Sequence, residues 1–132
     1  MIPKFRAWNR IEKRMFLVLE IDFENELISD ETYWSTSHFD ENKLMQSTGL
    51  KDVNGKEIFE GDLVKLCFEE DGLFEICLDT IGGFYTKSVL TGKIQFLEAS
   101  DFDELEIAKE VFNEYVEVVG NIYEDKELLE ER

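Results

Sequence analysis

The 132 residues predict a β-rich α+β domain built around a small, strongly bent β-barrel, and three observations lead there. Apolar and polar residues alternate along much of the chain, which is the mark of half-buried strands. Turn-forming residues, above all Asn54-Gly55, separate those runs. One stretch, Asp101 to Tyr115, changes to helical spacing. A chain of this length is expected to form one domain, residues 1–132, since domains commonly run to roughly 100–200 residues. Its 43% apolar content, with eleven Phe, four Tyr and two Trp, is enough to build a core.

The first element is a hairpin. Phe5 to Trp8 alternates, Asn9 to Lys13 is a polar loop, and Met15 to Phe23 forms the return strand. Strict alternation sorts that strand into Leu17, Leu19, Ile21 and Phe23 on one face and Phe16, Val18, Glu20 and Asp22 on the other. The first set is the more apolar and is expected to face the core. Residues 24–45 are punctuated by acids around Leu27-Ile28 and Tyr33-Trp34 and read as short strands and loop.

Asn54-Gly55 is the pair preferred in a two-residue type I′ turn, where both residues need φ > 0. Gly49 and Gly61 bracket it, and Asp62 opens a strand to Phe68 with Val64, Leu66 and Phe68 on one face. Leu73 to Leu78 pairs back. A three-residue loop, Glu70-Asp71-Gly72, would oppose Val64 to Leu78 and Leu66 to Ile76. Cys67 and Cys77 then lie diagonally on the other face.

Ile81 to Thr86 and Lys93 to Leu97 read as two further short strands. From Phe102 the apolar residues fall at Phe102, Leu105, Ala108, Val111, Phe112 and Tyr115, with Glu106, Glu110 and Glu114 on the opposite side. Ser100 is the expected N-cap of this amphipathic helix, and Asp101, Asp103 and Glu104 complement its dipole. Val116 to Tyr123 is a last strand, and Glu124 to Glu131 a short C-terminal helical turn.

Lys and Arg number 14 against 31 Asp and Glu, a formal net charge of −17. The balance is uneven. Residues 1–14 hold five basic side chains against Glu12, a net of +4, and the rest hold nine basic against thirty acidic, a net of −21. Duplex DNA is disfavoured as a partner, since binding through phosphates needs a basic face. No apolar run spans a membrane and no signal-peptide core opens the chain, so a cytoplasmic location is expected.

Three blocks resemble the signature stretches of the YopX proteins, small proteins encoded by phages and prophages. They are Lys4-Phe5-Arg6-Ala7-Trp8, the segment Thr48 to Val64, and Val116 to Glu124. The resemblance implies a phage or prophage origin and a small β-rich fold. It implies no catalytic residue and no cofactor.

The residues themselves assemble no familiar chemistry. Asp52-Val53-Asn54-Gly55 departs from a calcium loop because its glycine comes fourth, so the turn reading prevails. His38 is the sole histidine and lacks the partners a zinc site needs. Cys67 and Cys77 lack C-x-x-C spacing and read as small apolar residues. Nucleotide-binding glycine loops and a serine elbow are absent from the sequence.

The sequence therefore points to an SH3-like barrel and a non-enzymatic accessory protein without cofactor or metal. It would act by contact with an unknown protein, with homo-oligomers possible. The alternative is a nucleic-acid-related role. Single strands could track Lys4, Arg6 and Trp8 on one face of the first strand, or the acidic helix could imitate DNA. The candidate contact surface comprises Lys4, Arg6, Trp8, Arg14, Glu106, Glu110 and Glu114.

Overall fold

The computed structural model describes residues 4–30, 36–66, 72–79, 83–92, 94–96 and 114–130. Eleven strands are assigned among them: β1 (Phe5–Asn9), β2 (Arg14–Asp22), β3 (Leu27–Asp30), β4 (Thr36–His38), β5 (Asn42–Lys51), β6 (Glu57–Phe59), β7 (Asp62–Leu66), β8 (Leu73–Asp79), β9 (Gly83–Ser88), β10 (Ile94–Phe96) and β11 (Val116–Asn121). A short helix, α1 (Lys126–Glu130), follows. The strands form two antiparallel sheets, ordered β4-β3-β2-β1-β5-β6 and β10-β9-β8-β7-β11. Contacts divide the chain into two compact units, Met1–Ser47 and Thr48–Arg132.

The expected closed SH3-like barrel is not found: among the described residues both sheets are open, each with two end strands. The expected helix over 101–115 lies outside the described residues except for Glu114 and Tyr115, which are helical. The strands expected over residues 5–8, 15–23, 62–68, 73–78 and 116–123 are present as β1, β2, β7, β8 and β11, and β9 and β10 fall within two residues of their expected positions.

In the first unit the β1–β2 hairpin is set by Asn9. Its Oδ1 accepts the backbone N–H of Ile11 at 3.0 Å and of Glu12 at 2.9 Å, and its buried Nδ2 donates to Asn42 Oδ1 at 3.2 Å. Asp22 closes the β2–β3 turn in the same way. Its Oδ1 accepts from Glu24 N and Asn25 N, each at 3.1 Å, and its Oδ2 from Asn25 Nδ2 at 2.8 Å. The Asn25 side chain, then the turn N–H groups, hold the Asp22 carboxyl below its ordinary range.

Up to the bulge at residue 19 the core face of β2 is the reverse of the expected one, and beyond it Ile21 faces inward as expected. Ala7 stands opposite Phe16 on one side and Leu44 on the other, and Ala7, Phe16 and Ile28 form the buried cluster with Val18, Phe39 and Leu44 against it. Leu17 and Leu19 are exposed. The physical reason is a bulge. Val18 pairs with Asp30 but Glu20 with Ser29, so β2 carries one extra residue and its alternation inverts there. Ile21 then opposes the buried Ile28, as a strict period of two could not accommodate together with Phe16.

The same face buries a charge. Arg14 forms an ion pair with Asp30, whose side chain is 2% exposed, and reaches Glu12 Oε2 at 3.1 Å. Its guanidinium lies 5.1 Å from the centre of the Phe16 ring. These carboxylates, Asp30 first, raise the Arg14 pKa further above its ordinary value.

In the second unit the 52–56 turn is not type I′. Gly55 has φ +80, whereas Asn54 is absent from the residues at positive φ. Gly55 N donates to Asp52 O at 3.0 Å and Asp52 N to Lys56 O at 2.9 Å, which is a three-residue loop with Gly55 in the left-handed position. The buried Asp52 carboxylate explains the choice. Its Oδ1 accepts from Asn54 N at 2.9 Å and Lys56 N at 2.8 Å, fixing the turn from within. Its Oδ2 accepts Val118 N at 2.9 Å, and Val53 N donates to Val116 O at 2.8 Å, so this turn occupies the outer edge of β11.

On its inner side β11 pairs with β7, Val118 opposite Val64, with a bulge between Val118 and Gly120. A Cβ on Gly120 would lie 2.6 Å from Asp125 Oδ2, the atom that accepts Asn121 N at 3.0 Å. A side chain there would displace the Asp125 carboxylate from Asn121 N. The β7–β8 register opposes Val64 to Phe74 rather than to Leu78. The shift is an even number of residues, so the expected face survives: Leu50, Ile58, Val64, Ile76 and Val116 are its buried cluster, with Phe74, Phe84 and Val118 against it. Each such buried side chain contributes roughly 1.5–3 kcal/mol.

Two outcomes are expected. Asp52→Ala lowers stability by about 2–4 kcal/mol, less than three full charged hydrogen bonds because the freed N–H groups regain water. Urea unfolding beside an Asp40→Ala control on the exposed surface reads this, and equal midpoints would refute it. In an NMR titration, the Asp22 carboxyl protonates below the ordinary aspartate range. The stability it lends is therefore present above the unfolded pKa and lost as pH falls through the folded one. Asn25→Ala moves that titration upward.

Candidate functional site

The other face of the β2–β1–β5 sheet is built from registers already fixed by the Asn9 turn. Residues opposite one another in antiparallel strands point the same way. Trp8 opposes Met15 and Lys43, giving one row, and Arg6 opposes Leu17 and Met45, giving the next. The β2 bulge adds Leu19 beyond Leu17 and brings Glu20 opposite Ser29 on this side. Leu17 is 48% and Leu19 43% exposed, Trp8 and Met15 are half-buried, and Arg6 and Met45 are buried. Exposed Lys43 and Glu20 lie at opposite ends of the apolar strip.

The residues singled out from the sequence do not gather into one surface. Lys4 is exposed, Arg6 is 7% exposed, and Trp8 is half-buried in the strip. Arg14 lies on the opposite side of the sheet with Asp30. Glu114 is exposed just before β11, while Glu106 and Glu110 lie outside the described residues. β1 is an interior strand between β2 and β5, so its charged side chains do not guard a sheet edge. Alternation alone turns Leu17 and Leu19 toward the core, whereas both are exposed. Both faces of residues 16–19 are apolar, so only the bulge distinguishes them.

His38 is exposed on β4 and, with Glu26, Phe39, Asp40 and Glu41, lines an open depression of about 640 Å³. Phe23 meets Phe39 edge-on, ring centres 6.0 Å apart. Among the described residues no group of three or more His, Cys, Asp or Glu side chains is placed to hold a metal. No helix among them is long and apolar enough to cross a membrane.

Cys77 sits on β8 opposite Tyr85 of β9, its Sγ 3.4 Å from Glu75 Oε2. Burial, then the Glu75 charge, pushes the thiol up to about 12. The neighbouring Cys77, followed by burial, raises the Tyr85 phenol as well. Cys67 lies outside the described residues.

The fold and its sites define a small β-sheet protein whose buried carboxylates bind backbone. The chain belongs to the YopX family, whose model, described as YopX protein, matches residues 4–130. Among solved structures it is similar to protein EF1440 from Enterococcus faecalis, with 30% identity, a TM-score of 0.63, and coverage of 98% of this chain and 99% of that one. No curated protein sequence matches it.

A protonated thiol is a poor nucleophile. Iodoacetamide at pH 8, followed by peptide mass mapping, is expected to label Cys77 at least about tenfold more slowly in the folded than in the urea-unfolded chain, whose thiol returns to about 8.5. Equal rates would refute the shift.

Proposed function

We propose that this chain is a phage- or prophage-derived accessory protein that acts in the cytoplasm by protein contact, without catalysis and without a cofactor. The observation that carries the reading is the apolar strip of Trp8, Met15, Leu17 and Leu19. Two leucines lie close to half exposed at the middle of a sheet face, where a half-exposed sheet ordinarily carries polar side chains. Such a strip, with charged residues at its ends, is the chemistry of an interface.

A role in binding single strands has less support. Arg6 is buried and Arg14 is engaged by Asp30 on the other side of the sheet, so β1 offers no continuous basic track. The net charge of −17 opposes a polynucleotide as well. Imitation of DNA by the acidic segment rests on charge alone, and would show itself as recovery of a DNA-binding protein at low salt.

Affinity capture from a host lysate tests the proposal when the wild type is run beside Leu17→Glu/Leu19→Glu. The expected result is a partner whose recovery falls at least about tenfold in the variant, as burying an unpaired charge in an interface costs more than 1.4 kcal/mol. Identical recovered sets would sink it.

A further inference from the structure

We infer that Asn54 is a modification site, at which the chain cyclises on itself with loss of ammonia, and that the Asp52 turn holds this reaction in check. Asn54 alone among the asparagines is followed by glycine. Both residues of the pair are exposed. Asn54 is bonded through its backbone N–H to Asp52 Oδ1 at 2.9 Å, and its carboxamide has no hydrogen-bond partner among the described residues. A Cβ placed on Gly55 would meet nothing within 4 Å, so solvent reaches the pair freely. Glycine also leaves its own nitrogen unhindered, since no side chain crowds the approach to Asn54 Cγ.

The reaction needs only this chain and water. A solvent base takes the Gly55 N–H proton, the nitrogen forms a bond to Asn54 Cγ, and the Cγ–Nδ2 bond breaks. Nδ2 takes a proton from water and leaves as ammonia. Water then opens the five-membered succinimide at either carbonyl, giving aspartate by one opening and isoaspartate by the other. Nothing is oxidised or reduced.

The folded turn withholds the attacking atom. Gly55 N donates to Asp52 O at 3.0 Å, so the proton that must leave is engaged and the nitrogen is held by that bond. Asp52 is 3% exposed, and its carboxylate is tied to Lys56 N at 2.8 Å and to Val118 N at 2.9 Å. Cyclisation therefore waits for a local opening of a turn that is fastened to β11. The isoaspartate product carries the main chain through Cβ and Cγ and so lengthens it between Asp52 and Lys56. The spacing that brings Asn54 N and Lys56 N to one carboxylate oxygen is then lost, and the bond from Val118 N loosens with it.

Ageing the full chain at pH 8, followed by peptide mass mapping, tests this. The expected result is amide-to-acid conversion with isoaspartate, fastest at Asn54, and at least about tenfold faster in the guanidinium-unfolded chain than in the folded one. Asn54→Gln, which cannot close a five-membered ring, abolishes it. Asp52→Ala, shown by circular dichroism to be folded, converts faster than the wild type, and the milder Asp52→Asn, which keeps one acceptor oxygen, lies between them. Aged protein rich in isoaspartate unfolds at lower urea than Asn54→Asp, which adds the same charge without lengthening the main chain.

Absence of conversion at Asn54 in the unfolded chain overturns the site. Equal rates in the folded and unfolded chains overturn the restraint by the turn, as does a folded Asp52→Asn no faster than the wild type. An isoaspartate form as stable as Asn54→Asp overturns the loosening of β11.

Discussion

The second unit depends on one carboxylate. Asp52 is buried, and a buried charge is stable only when its lone pairs are met. Two N–H groups from its own turn and one from Val118 meet them, so the group that shapes the turn also fastens the last strand. This explains why a turn stands where a barrel would place another strand. The outer edge of β11 is satisfied by Asp52 and Val53, leaving no free edge there for β10 to close upon.

The same device recurs through the chain. Asp62 is buried and accepts Phe59 N at 2.8 Å, Asp125 accepts Asn121 N, and the Asn121 carboxamide oxygen accepts Tyr123 N and Glu124 N. Acidic and amide side chains here replace backbone acceptors at turns and strand ends. Part of the large acidic content is therefore architectural, and its location decides its meaning. Surface carboxylates govern solubility and long-range repulsion, whereas Asp30, Asp52 and Asp62 are inside and hold structure.

Strand positions were legible wherever turn residues punctuated alternation, as at Asn9, Asn54-Gly55 and Gly61-Asp62. What alternation cannot reveal is where it breaks. Residues 16–19 are apolar on both sides, and the extra residue at the β2 bulge gives no signal in composition, so alternation points Leu17 and Leu19 inward where the fold exposes them. The Asn54 turn departs from type I′ for a related reason. Asn-Gly favours type I′ in isolation, but Asp52 two residues earlier recruits Asn54 N and Lys56 N and selects a longer loop. Arg6 read as surface because Arg seldom enters an interior, and its place on a central strand is a matter of sheet order. The candidate contact face was thus legible in its members and not in its orientation.

The bond from Val118 to Asp52 joins positions 66 apart, and that separation sets an order of events during folding. The turn around Asn54 and Gly55 can curl from local bonds as soon as it is made. Its second carboxylate oxygen stays in water until β11 exists and returns to it. Closing a loop of that length costs roughly 4 kcal/mol of chain entropy beyond the constant term, so the contact forms late, after nearby strands have lowered the cost. On the ribosome, the Asp52 turn would wait, half-fastened, for a strand made 66 residues later.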